Sequence, residues 1–167
     1  ADDAPAVEII EQIEFKEDGS PLTQTGVLDN VAGLTPDLTW NLVTGDGSYG
    51  HLTLDNNGNW TYVLDNDSLA VQQLNPTDSV TDTFSVTVVD KFGKTVVDEN
   101  GDPIEMIFKV EVTGTNDAPE ISGQLNGTIS NIDSDSKISG NLNDGDVDTG
   151  DTHTWSVADN QGDYGRL

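Results

Sequence analysis

The sequence predicts an all-β fold, an antiparallel β-sandwich, and three observations carry that prediction. Apolar and polar residues alternate with a period of two through several stretches, and no stretch sustains an apolar period near 3.6. Glycine, asparagine and aspartate gather between those stretches, where turns require them. About seven such short strands, separated by turn signals, form the pattern of a two-sheet sandwich.

Taken in order, Val7-Glu8-Ile9-Ile10 reads as a first strand, and Glu11 to Pro21 as a polar connection with a turn at Asp18-Gly19. Thr25 to Leu28 and Leu38 to Val43 read as the next strands, the latter containing Trp40, with a turn at Gly45 to Ser48. Tyr49 to Leu54 and Trp60 to Leu64 alternate on either side of Asp55-Asn56-Asn57-Gly58-Asn59, which specifies a β-hairpin with Trp60, Tyr62 and Leu64 on one face. Ser68 to Leu74 breaks the alternation and predicts a single helical turn capped by Asp67 or Ser68. Phe84, Val86 and Val88 define one long strand, and Met106, Phe108, Val110 and Val112 another. A hairpin extension lies between them, with Asp98, Asn100 and Asp102 at its tip.

Composition narrows the function. Acidic residues number 31 against 6 basic, for a net charge of -25, which argues against nucleic acid and anionic membranes as partners. Two readings stay open: a solvated acidic surface, or one that collects divalent cations. The absence of cysteine excludes disulfides and thiolate metal sites. No apolar run approaches the roughly 18 residues of a membrane span. Ala1 does not open a signal peptide, so an export signal is expected outside this stretch.

The chain also repeats itself. Asp117-Ala118-Pro119 answers Asp3-Ala4-Pro5, Gly140 answers Gly26, and Thr154-Trp155 answers Thr39-Trp40. Tyr164-Gly165-Arg166-Leu167 answers Tyr49-Gly50-His51-Leu52, all at one offset of about 114 residues. The expected organisation is a complete sandwich over residues 1–116 and the N-terminal part of a second repeat over 117–167. That second part lacks counterparts of the Trp60 hairpin and of the last two long strands, so it cannot build a full sandwich from its own residues.

Gly50-His51-Leu52-Thr53-Leu54 with Gly58-Asn59-Trp60-Thr61-Tyr62, then Val80 to Val88, then Gly114-Thr115-Asn116-Asp117-Ala118-Pro119, resemble the VCBS repeat of giant bacterial RTX-type adhesins. That resemblance implies a cadherin-like or immunoglobulin-like Greek-key sandwich, repeated along an extracellular chain. It further implies Ca2+ at the domain junctions, placement at the bacterial cell surface, and a part in cell adhesion and biofilm formation. The implied partners are neighbouring repeats of the same chain, with host-cell, carbohydrate or surface ligands reached through other domains and no direct membrane insertion.

The residues themselves supply a calcium argument. Asp144, Asp146, Asp148 and Asp151 crowd into one short loop with Gly145 and Gly150. Calcium takes about six to eight hard oxygen ligands, and clustered carboxylates repel one another unless a cation joins them. A solvated acidic turn is the other reading, since Asp and Gly favour turns. The loop is not an EF-hand: Gly150 falls one place late, Trp155 stands where a bidentate Glu belongs, and no helices flank it. Asp146 and Asp148 also resemble the Asp-x-Asp motif of cadherin repeats, and Asn116, Asp117 and Pro119 resemble their linker, with Gly114 where an Asp would stand. The same resemblance makes Asp65 and Asp67 candidate ligands, an N-cap or turn being the equal reading, and Glu14 or Glu17 weaker ones. Asp90 matches an Asp that closes a leading site with Asp2 and Asp3. Residues 31–36 carry no acids, so that leading site is expected to be degraded. Asp98, Asn100 and Asp102 are expected to serve their hairpin tip, and Asp133 and Asp135 to lie on the surface.

Catalysis finds no support. His51 and His153 fall in strand patterns, and no nucleophile elbow or phosphate-binding glycine loop occurs. Trp40, Trp60 and Trp155 could stack on sugars, but their places in alternating strands predict core packing. Two functions from different classes follow: a calcium-stiffened spacer repeat, or a ligand-binding role, either as the platform of a split domain carrying an inserted sugar- or peptide-binding domain or as a ligand-binding adhesin module itself.

Overall fold

The computed structural model describes residues 8–28, 37–129 and 137–167. The chain divides into two compact units between Asn116 and Asp117. Unit one contains strands β1 (Glu8–Lys16), β2 (Thr23–Val27), β3 (Thr39–Leu42), β4 (Gly50–Leu54) and β5 (Asn59–Leu64), the single-turn helix α1 (Leu69–Gln72), and the long strands β6 (Ser79–Val89) and β7 (Glu105–Thr113). Unit two contains β8 (Glu120–Gly123) and β9 (Leu142–Gly145).

Alternation dictates the layers of unit one. Period-two sequences bury one face, so two such sheets must close on each other. One sheet runs β1-β7-β6-β3 and the other β2-β5-β4. Trp60, Tyr62 and Leu64 point inward from β5, Phe84, Val86 and Val88 from β6, and Met106, Phe108, Val110 and Val112 from β7. The rings interlock: Trp60 meets Phe108 edge-on at 5.0 Å, and Tyr62 lies between Phe15 at 5.2 Å and Phe84 at 6.0 Å. Such pairs each add about 0.5–1.5 kcal/mol beyond the area they bury.

Four expectations are corrected. The first strand does not stop at Ile10 but runs to Lys16, because Ile13 and Phe15 enter the core between exposed Gln12 and Glu14. It pairs with β7 in parallel, so the sheet is not wholly antiparallel. The cap of α1 is positional only: Ser68 occupies the N-cap and its side chain makes no capping hydrogen bond. Trp40 is buried as expected, but Trp155 is half-exposed and belongs to no strand.

Aspartates close tight loops in unit one. Asp55 accepts the backbone N–H of Asn57 and of Asn59, each at 2.9 Å, and the Asn59 side-chain amide at 2.7 Å, while Gly58 turns the chain at φ +92°. Those bonds, the Asn59 amide's first, hold the Asp55 carboxyl below its ordinary pKa. A depressed pKa means stability present above the ordinary carboxylate value and lost as pH falls through the depressed one. Asp55→Ala is therefore expected to melt lower than the parent at neutral pH. The gap should close as the solution is acidified below about pH 3.9; a gap constant with pH would rule the effect out. Asp98 does the same at the hairpin tip, accepting the N–H of Asp102 at 3.0 Å and of Asn100 at 2.8 Å.

Candidate metal centre

The acidic loop of unit two begins where β9 ends. β8 and β9 pair antiparallel, with Ile121 opposite Asp144 and Glu120 opposite Gly145. The pairing stops there, and the chain turns through residues 146–151 with Gly150 at φ +86°. Asp146 starts the turn, its Oδ1 accepting the backbone N–H of Asp148 at 2.9 Å. Asp148 then folds inward: it is 4% exposed, and its Oδ2 accepts the N–H of Asp117 at 2.8 Å. The first residue of unit two is thereby tied to the loop some thirty positions on.

Two oxygens of this loop lack hydrogen-bond donors. Asp148 Oδ1 and Asp146 Oδ2 are both buried, and neither accepts a hydrogen bond. The Asp146 side chain is only 6% exposed. A buried ionised carboxylate oxygen without a donor is costly, because its hydration is lost and nothing replaces it. His153 lies beside this pair, its Nε2 3.1 Å from Asp146 Oδ2 and its Nδ1 3.3 Å from Asp144 Oδ2. The Nε2 contact is within ion-pair distance without being a hydrogen bond. Asp146, Asp151 and His153 each offer a ligand atom within 4.8 Å of the others. The donor set fits a divalent cation: carboxylate oxygens converge, and two buried ones accept no hydrogen bond.

The remaining candidates are placed differently. Asp65 and Asp67 are exposed and flank Asn66, whose side-chain amide donates to Asp18 at 2.7 Å. Asp90 closes its own loop, Oδ1 accepting the N–H of Phe92 at 2.8 Å and of Lys94 at 3.0 Å. Its expected companions Asp2 and Asp3 lie outside the described residues, as do residues 31–36, Asp133 and Asp135. Asn116 is exposed, the last residue of unit one. Glu17 is completely buried and its Oε2 accepts the N–H of Thr115 at 2.9 Å, whereas Glu14 is exposed.

His153 is the residue that the search for carboxylates missed. Its signal was position: Asp151-Thr152-His153 sets an imidazole two places beyond the last acid of the cluster.

Unit one is a two-sheet Greek-key sandwich whose last strand returns to pair with its first, which defines a cadherin-like class of module. The bacterial cadherin-like domain matches residues 2–101, and the chain belongs to that family. No curated protein matches the chain. Among the described residues, no helix is long and apolar enough to cross a membrane.

Proposed function

We propose that the chain is a non-catalytic, calcium-stiffened repeat of an extracellular bacterial adhesin of the VCBS type, serving as a spacer in cell attachment and biofilm formation. The observation that carries this reading is Asp148, whose buried carboxylate holds the N–H of Asp117 with one oxygen and leaves the other without a donor. A calcium ion at that second oxygen, shared with Asp146 and filled out by neighbouring oxygens and water, satisfies the charge that burial otherwise penalises. It also orders the backbone leading into unit two, because Asp117 hangs from the same carboxylate. Net charge of -25 supports the reading, since the unliganded chain repels itself and a cation relieves that repulsion.

Calorimetry with calcium, and melting in calcium against chelator, test it. Extracellular modules bind calcium at about 10⁻⁴–10⁻³ M, so a rise in melting temperature is expected as calcium passes through that range. Asp148→Asn keeps the shape and one acceptor but removes the charge, and should abolish most of the rise. A parent protein indifferent to calcium overturns the proposal. In scattering, calcium should lengthen the chain's mean extension.

A further inference from the structure

We propose that Asp146, Asp151 and His153 form a second kind of metal site, selective for a first-row transition cation such as Zn2+ rather than for calcium. The proposal deepens the metal reading of the same loop but does not depend on calcium binding there. Its basis is the nitrogen. Calcium takes oxygen donors, whereas imidazole with carboxylate suits zinc and its neighbours.

Three observations converge. Asp146 Oδ2 is buried without a hydrogen-bond donor on a side chain only 6% exposed, and it faces His153 Nε2 at 3.1 Å. Two ligand atoms held about 2.0–2.2 Å from one tetrahedral zinc ion lie about 3.3–3.6 Å apart, so this pair is within a few tenths of an ångström of the spacing of adjacent ligands. The third ligand atom, from the exposed Asp151, lies within 4.8 Å of both. The ring's other nitrogen, Nδ1, lies 3.3 Å from Asp144 Oδ2. A metal on Nε2 would take the Asp146 side of the ring and leave the Nδ1 N–H facing Asp144. Asp144 then acts as the carboxylate that orients a metal-bound histidine. The imidazole is 27% exposed, so an ion can reach it and water can complete the coordination.

The test uses the whole chain with Zn2+ and Co2+ as probes, calcium being titrated in parallel. One zinc ion should bind per chain, and Co2+ should develop visible d–d bands that Zn2+ bleaches. His153→Asn should weaken zinc by at least about tenfold, since even loss of a supporting residue around a metal costs about 10–100-fold. The same variant should leave calcium affinity within about twofold, calcium having no use for the nitrogen. His51→Asn, altering a histidine paired with exposed Asp46, should change neither. Zinc affinity unchanged in His153→Asn, or no zinc uptake by the parent chain, overturns the proposal. Zinc uptake without calcium uptake overturns the calcium reading and leaves this one standing, and calcium uptake without zinc does the reverse.

Discussion

Asp82→Ala should lower the stability of unit one by about 3–5 kcal/mol, a large share of the roughly 5–15 kcal/mol typical of a domain. Asp82 is 4% exposed, on the inner face of β6. Its Oδ1 accepts the N–H of Ser48 at 2.7 Å, and its Oδ2 accepts the N–H of Tyr49 at 3.0 Å and the hydroxyl of Tyr62 at 2.9 Å. One carboxylate thus fastens the turn before β4 and the centre of β5 to β6, joining the two sheets by polar bonds within an apolar core. Alanine would leave three donors without their acceptor. Each buried unsatisfied donor costs about 1–3 kcal/mol, and the partly buried turn amides recover some of that from water.

Tyr62→Phe is the control. It removes one bond while leaving Asp82 its two amide donors, so a loss of about 1–1.5 kcal/mol is expected. The double variant should lose less than the sum, because both changes delete the same bond. Denaturant melts of the four proteins measure this. An Asp82→Ala loss no larger than that of Tyr62→Phe would show that the turn amides contribute nothing. A second readout is spectroscopic: burial first, and then the bond and the charge of Asp82, push the Tyr62 phenol far above its ordinary pKa. Tyr62 should therefore stay protonated on alkaline titration until the fold opens.

Asp82 also shows how legible the fold was. It shares its parity with Phe84, Val86 and Val88, so the alternation that identified β6 already placed a carboxylate on the inner face. What the pattern could not show was its partners, Ser48, Tyr49 and Tyr62, which come from more distant parts of the chain. The hairpin of β4 and β5 was legible because its turn and both strands are contiguous. The second half of β1 was not, because Ile13 and Phe15 stand alone among acids and glutamine, and what fixes the strand is pairing with β7 almost a hundred residues on. In unit two the acidic loop was visible as a cluster of aspartates. The inward turn of Asp148 and the approach of His153 depend on how the loop folds, which no spacing records. Trp155 was misjudged for a related reason: a repeat of sequence implies burial only where facing strands supply the other half of the core.

Gly114→Asp should destabilise unit one rather than improve its metal binding, although the linker pattern of cadherin repeats places an acid there. Gly114 is buried and its N–H donates to the carbonyl of Asp78 at 3.1 Å. A Cβ at this position would stand 2.2 Å from the Asn75 carbonyl oxygen and 2.4 Å from that of Leu74. Both are backbone atoms, so no side chain can swing aside, and the segment after α1 would have to move together with the buried Leu74. Overpacking of this kind costs about 1–3 kcal/mol for Gly114→Ala. The aspartate adds the penalty of a carboxylate pressed against two carbonyl oxygens. Melting should fall by about 5 °C or more for Gly114→Ala and further for Gly114→Asp, with calcium affinity no tighter than the parent's. A Gly114→Asp chain that melted normally and bound calcium more tightly would mean that the segment yields at little cost. The expected result instead makes the missing acid a consequence of packing: Gly114 is where β7 leaves the sandwich beneath the carbonyls of Leu74 and Asn75, and the backbone can pass only without a side chain.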